Sequence, residues 1–214
     1  MKDYKRLLKK IYLMLLEKFG PQGWWPGDSA FEIMVGAILT QNTNWQNVSR
    51  AIKNLKKEKA LSAQKLYSLP LKKLASLIKP AGYYNIKAKR LKNFLDFFFK
   101  NYQGDIRLMA KKDLAALRHE LLSVNGIGEE TADSILLYAL NKPIFVVDAY
   151  TRRIFSRHKF LAPDATYTQT QGLFMQNLKA DTKIFNEYHA LIVRLGKDFC
   201  RKSKPRCLEC PLNQ

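Results

Sequence analysis

Cysteine is scarce in this 214-residue chain: Cys200, Cys207 and Cys210 are the only three, all within the last fifteen positions. A disulfide framework spread through the fold is thereby excluded. Acidic side chains are also few, 18 Asp and Glu against 37 Lys and Arg, which leaves a formal net charge of +19. No run of about 18 apolar residues exists, and Met1–Lys10 is too charged to lead into the apolar stretch of a secretory signal. The sequence therefore reads as cytoplasmic, with no membrane partner. What is present is 47 % hydrophobic and 12 % aromatic residues, enough to fill a sizeable core and too many for a disordered basic tail. The positive charge sits on a folded object, and its expected partner is nucleic acid.

Apolar residues Leu7, Leu8, Ile11, Tyr12, Leu15, Leu16 and Phe19 recur at helical spacing until Gly20-Pro21 stops them. The same period returns over Phe31–Leu39, Trp45–Leu55, Leu71–Ile78, Ile86–Phe99, Leu114–Leu122, Thr131–Leu140, Ala149–Phe155, Leu173–Leu178 and Ile184–Leu195. Only Pro143–Val147 reads extended, and a lone segment has nothing to pair with. The expected class is all-α, with breaks too short to be flexible linkers between independent domains.

One break carries chemistry. Leu121–Gly128 joins two helical patterns by a turn with glycines two apart, Gly126 and Gly128, and the next helix opens at Glu129. Glycine permits positive φ and lets an anion approach bare backbone, and a helix N-terminus beside such a turn is an anion site. An ordinary corner between helices is the other reading. Twenty residues beyond Gly128 the extended segment delivers Asp148 at the N-cap of a further helix, where it serves either as a cap worth about 1 kcal/mol or as a functional carboxylate.

The string LLSVNGIGEETADSILLYALNKPIFVVDAYTRR resembles the helix–hairpin–helix, Gly/Pro-rich loop and aspartate signature of the endonuclease III superfamily of DNA glycosylases, and the resemblance runs over nearly the whole chain. It implies two helical lobes flanking a DNA-binding cleft: a six-helix lobe at 22–136 bearing the hairpin, and a second built from 1–21 plus 137–214. It makes Val124, Asn125, Gly126, Ile127 and Gly128 the phosphate-gripping hairpin, whose carbonyls in relatives hold a monovalent cation. Asp148 becomes the catalytic carboxylate. Breaking an N-glycosidic bond builds positive charge on the sugar, which a fixed anion stabilises. Where bifunctional members carry a nucleophilic lysine two residues after the second glycine, this chain has Glu130, and a carboxylate forms no imine. The lyase step is expected to be missing.

All three tryptophans fall within Trp24–Trp45. The segment WWP followed by LTQNTNW is most similar to the 3-methyladenine DNA glycosylase III group, which assigns Trp24, Trp25, Pro26 and Trp45 to the base pocket; buried core packing is the plainer reading for any tryptophan. Alkylated purines such as 3-methyladenine and 7-methylguanine carry positive charge in the nucleoside, and indole faces attract cations. Gln41 and Asn42 match the position whose side chain fills the gap left by an extruded nucleotide, and Lys87 and Arg90, following the Gly82-Tyr83-Tyr84-Asn85 turn, are expected at the DNA backbone. His189 lies on an apolar helix and reads as a core residue outside the catalytic set.

Cys200-x6-Cys207-x2-Cys210 has the spacing of the first three ligands of the superfamily's [4Fe–4S] loop. The resemblance places a fourth cysteine two residues beyond Gln214, and zinc on three thiolates is the chemical alternative. Taken together, these features imply a monomeric, nucleoid-associated, monofunctional glycosylase that excises alkylated purines from damaged duplex DNA. The alternatives are a glycosylase for oxidised pyrimidines or mismatched bases, with or without lyase activity, and a non-catalytic DNA-binding module.

Overall fold

The computed structural model of the chain describes residues 3–213. Among them are twelve α-helices and no strand: α1 (Tyr4–Phe19), α2 (Ala30–Leu39), α3 (Trp45–Lys57), α4 (Ala63–Ser68), α5 (Leu71–Leu77), α6 (Tyr84–Tyr102), α7 (Ile106–Lys111), α8 (Leu114–Leu122), α9 (Glu129–Ser134), α10 (Ala149–Arg157), α11 (Tyr167–Met175) and α12 (Thr182–Asp198). The all-α class thus holds. Helices α4 and α7 are additional to the expected set, because six residues are too few to display an apolar period. Their signals were the caps Ser62 and Asp105, whose side chains accept from the Lys65 and Arg107 N–H groups. Helix α11 starts well before Leu173 because Thr166 and Gln169 form a reciprocal capping box. The expected Thr131–Leu140 helix divides into α9 and a wide π turn at Ile135–Ala139.

Two compact units result. One ends at Trp25 and resumes at Pro143, carrying α1 and α10 to α12; the other, Pro26–Lys142, carries α2 to α9. The second unit carries eight helices, three of them (α4, α7 and α9) only six residues long.

In the first unit Leu8, Leu15, Phe155, Phe185 and Tyr188 are fully buried, and Phe145 stacks on Phe174 at 3.8 Å between ring centroids and meets Phe185 and Tyr188 edge-on. The 144–147 segment is wholly buried yet joins no sheet. Side chains of α11 replace a ladder: Gln171 Nε2 donates to the Phe145 carbonyl (2.7 Å), and the Tyr167 hydroxyl accepts from the Val147 N–H (3.3 Å). This apolar rod delivers Asp148 to the start of α10.

In the second unit Met34, Ile38 and Leu39 of α2 are buried, as are Leu91, Phe94 and Phe98 of α6. Lys87 overturns an expectation here. It is 1 % exposed, and its Nζ donates to the carbonyls of Leu39 (2.8 Å) and Ala81 (2.7 Å). The residue ties the end of α2 to the 3₁₀ turn Lys79–Ala81 and is no phosphate contact, because the carbonyls of an ending helix recruited it inward. Burial, reinforced by the neighbouring Arg90 charge, lowers its pKa from 10.5 to about 8. Between those values the unfolded chain binds more protons than the folded one, so this group makes stability rise with pH across that window. Urea melts at intervals from neutral to alkaline pH should show the rise in the parent chain and a flatter curve in Lys87→Met.

Candidate active site and nucleic-acid interface

Helix α8 ends at Leu122, and the Ile127 N–H donates to the Val124 carbonyl (3.0 Å) to close the turn before α9. Val124 and Ile127 are buried anchors, while Asn125 and Gly128 are exposed. The N-cap of α9 is Gly128, and no side chain caps it. Gly126 sits at φ +95°, and a Cβ there would lie 2.3 Å from Arg90 Cγ. Gly126→Ala should therefore strain the backbone by about 1–3 kcal/mol. Calorimetry should show a melting temperature lower by roughly 2–4 °C per kcal/mol.

Around the turn stands a polar brace. Gln41 Nε2 donates to the Gly126 carbonyl and to Thr131 Oγ1, both at 3.0 Å, and the Arg90 guanidinium donates to Gln41 Oε1. Asn93 Nδ2 donates to the Asn125 carbonyl (3.0 Å). The carbonyls of Asn125 and Gly126 thus each accept a side-chain donor. Gln41 is thereby a strut of the hairpin, whereas its neighbour Asn42 is exposed at φ +53°. Arg90, Lys89 and Lys92 line a groove of about 930 Å³ together with Ile86, Asn125 and Gly126. Tyr83, 69 % exposed, precedes α6 in a left-handed conformation. Glu130 is exposed in the first turn of α9.

The first unit carries the other chemistry. Asp148 is the N-cap of α10: its Oδ1 accepts from the Thr151 N–H (2.7 Å) and from Thr151 Oγ1 (2.9 Å). Its second oxygen, Oδ2, lies 3.7 Å from Nε2 of His189, and the Asp148 side chain is 12 % exposed. Sequence reasoning set His189 aside as a core residue, and it is indeed only 4 % exposed. What it missed is the carboxylate at its side, since forty-one residues separate the two and no local pattern joins them. Burial lowers the His189 pKa, and the Asp148 charge opposes that shift.

None of the three tryptophans belongs to the buried core; all are partly exposed. Trp24 and Trp25, in the first unit, meet edge to face with centroids 5.4 Å apart. The Lys197 ammonium lies 5.7 Å from the centre of the Trp24 ring. Pro26, exposed, and Trp45, at the start of α3, belong to the second unit.

Cys200 is buried, Cys207 exposed and Cys210 intermediate. Arg157 Nη1 approaches Cys200 Sγ at 3.4 Å and also donates to the Arg201 carbonyl, which fastens the loop to α10. Among the described residues no three His, Cys, Asp or Glu side chains group closely enough to hold a metal ion.

A hairpin anchored by buried Val124 and Ile127 and braced by Gln41 and Asn93, on an all-helical chain with an N-capping aspartate, points to the class of hairpin-bearing DNA repair proteins. The sequence model of the HhH-GPD superfamily of base excision DNA repair proteins matches residues 35–180, and the chain belongs to that family as a DNA glycosylase. A Methanocaldococcus jannaschii protein, named provisionally as a DNA repair glycosylase, is 52 % identical over all of this chain and 98 % of its own length. Endonuclease III of Bacillus subtilis is 26 % identical over 85 % of this chain and 78 % of its own. Among solved structures, the 3-methyladenine DNA glycosylase of Helicobacter pylori bound to 1,N6-ethenoadenine superposes with a TM-score of 0.76 at 29 % identity, over 92 % of this chain and 98 % of that one. An endonuclease III trapped covalently on DNA shares the fold with a TM-score of 0.82 at 21 % identity, over 97 % and 93 % of the two chains. No helix among the described residues is long and apolar enough to cross a membrane.

Proposed function

We propose that this chain binds damaged duplex DNA and hydrolyses the N-glycosidic bond of alkylated purines of the 3-methyladenine and 7-methylguanine class without cutting the strand. The observation that carries the substrate class is the indole pair: Trp24 and Trp25 stand outside the core, and the Trp24 ring already hosts an ammonium group. An aromatic surface that attracts a cation suits a base that is itself cationic. Stacking also offsets the few kcal/mol of unstacking that base extrusion costs. The likeness to the Helicobacter pylori enzyme supports the same class.

The chemical step rests on Asp148. Two donors from Thr151 fix Oδ1 and hold the carboxylate in one orientation, so Oδ2 is the oxygen left to face positive charge on the sugar or to take a proton from water. The base is a good leaving group because it is already charged, so a second carboxylate acting as acid is not required. Glu130 in place of an amine makes the enzyme monofunctional. The braced hairpin, with Lys89 and Arg90 beside it, would grip the phosphates. Protein of this kind works as a monomer in the nucleoid. The iron–sulfur cluster stays part of the proposal on its cysteine spacing alone, and iron content with visible absorption of the purified protein reads it.

The test incubates the protein with dimethyl-sulfate-treated duplex and, separately, with thymine-glycol duplex, then measures released base and strand breaks with and without alkali. Release of methylpurines, with breaks only after alkali, is the expected result. Spontaneous breaks at thymine glycol, with covalent trapping by borohydride, would overturn it in favour of an endonuclease III-like bifunctional enzyme, the reading that the Bacillus subtilis relative favours.

A further inference from the structure

We propose that His189 is the positioning residue of Asp148: its neutral imidazole, set against Oδ2, keeps the carboxylate turned for reaction with its charge undivided, and protonation of the imidazole withdraws that charge into an ion pair. The inference rests on Asp148 being the catalytic carboxylate.

The geometry that supports it lies within the first unit. Oδ1 of Asp148 is committed to Thr151, so the rotational freedom and charge of the carboxylate are expressed at Oδ2. Nε2 of His189 is 3.7 Å away, inside ion-pair range and just beyond hydrogen-bond range, a distance that closes with a small rotation of either side chain. The two helices cannot drift apart to dissolve the pairing. Gly196 of α12 leaves room for Tyr150 of α10, since a Cβ there would stand 2.3 Å from the Tyr150 ring. Arg153 donates to the carbonyls of Gly196 (3.2 Å) and Cys200 (2.8 Å), bolting α10 to the end of α12.

Neighbouring ionisable groups are occupied elsewhere. Glu187 accepts from the Gln22 N–H, the Tyr188 hydroxyl donates to the Leu8 carbonyl, and Arg152 donates to the Ala165 carbonyl. The side chain of Phe145, on the segment leading to α10, presents its ring at 83° to the imidazole with centroids 6.4 Å apart. The Asp148 charge acts on His189 across the 3.7 Å gap and favours the imidazolium, while burial of the ring favours the neutral form.

The experiment compares single-turnover release of methylpurine from dimethyl-sulfate-treated duplex across pH for the parent chain, His189→Gln and His189→Leu. The parent rate should fall on the acid side as the imidazole protonates. In His189→Gln, which offers an N–H without an ionisable group, that limb should move to lower pH, and activity should stay above that of His189→Leu. His189→Leu should lose about tenfold in kcat with KM unchanged. An acid limb shared by the parent and His189→Gln, or an unchanged kcat in His189→Leu, would overturn the proposal. Should His189→Leu fold poorly, NMR titration of the His189 imidazole supplies an independent reading. Its pKa should drop in Asp148→Asn, and an equal pKa would overturn the coupling. Asp148→Asn in the same release assay separates the two layers: retained excision there sinks the catalytic reading itself, whereas a dead Asp148→Asn beside an indifferent His189 sinks only this inference.

Discussion

Asp148→Asn is expected to lower base excision roughly 10²–10³-fold, the size of effect found when one preorganised electrostatic group is removed from a reaction that develops charge, while leaving the fold and duplex binding intact. The substitution separates the two roles that the position can play. Asparagine caps a helix about as well as aspartate, and its side-chain oxygen can still accept from the Thr151 N–H and hydroxyl. What it lacks is the negative charge at Oδ2. Melting temperature and affinity for an abasic duplex should therefore match the parent, and only the release rate should fall. Asp148→Ala provides the contrast, since it removes cap and charge together. It should lose about 1 kcal/mol of stability besides activity. An Asp148→Asn variant that excises methylpurine at the parent rate would reduce Asp148 to a cap, and the catalytic group would have to be sought elsewhere.

Asp148 is also the clearest case of what could be read before the structure. An apolar run ending in Asp, followed by a helical pattern, can be recognised as an N-cap because capping is a local event decided within four residues. The hairpin was legible for the same reason: Gly126 at positive φ between two amphipathic patterns is a short-range signal. What escaped notice depends on distance in the chain. Lys87 is expected at the DNA backbone, yet two carbonyls, one contributed by a helix end more than forty residues away, draw it into the core. His189 looked like one more residue on an apolar face, and its partner stands on another helix. Gln41 matches the family position that fills the gap left by an extruded nucleotide, and the sequence does not show that its amide also donates to the hairpin carbonyl and to Thr131. In each instance the chemistry of the side chain was evident and its partner was not, because periodicity reports which face a residue occupies and says nothing of what lies opposite.

Long-range pairing of this kind also sets the largest stability effect expected in the chain. Arg118 of α8 holds Asp133 of α9 with two parallel bonds, Nε to Oδ1 at 2.7 Å and Nη2 to Oδ2 at 3.1 Å, and reaches Glu129 at 3.6 Å. The Asp133 side chain is wholly buried while Arg118 is 23 % exposed, so the guanidinium is a lid over a carboxylate that water cannot solvate. Arg118→Met keeps much of the apolar stem and removes the bidentate Arg118 counter-charge from that carboxylate. Removing one partner of a buried pair costs about 3–5 kcal/mol. For a chain of this size that corresponds to a melting temperature lower by roughly 6–20 °C, readable by calorimetry or circular dichroism. The double variant Arg118→Met/Asp133→Leu should recover most of the loss, because it removes the stranded charge as well. A loss below about 1 kcal/mol for Arg118→Met would place the pair with ordinary surface ion pairs. Because the pair joins the helices on either side of Val124–Gly128, the single variant should also loosen the turn. Hydrogen exchange at the Ile127 amide, whose N–H closes the hairpin onto Val124, should then quicken by more than exchange in α12, which lies in the other unit.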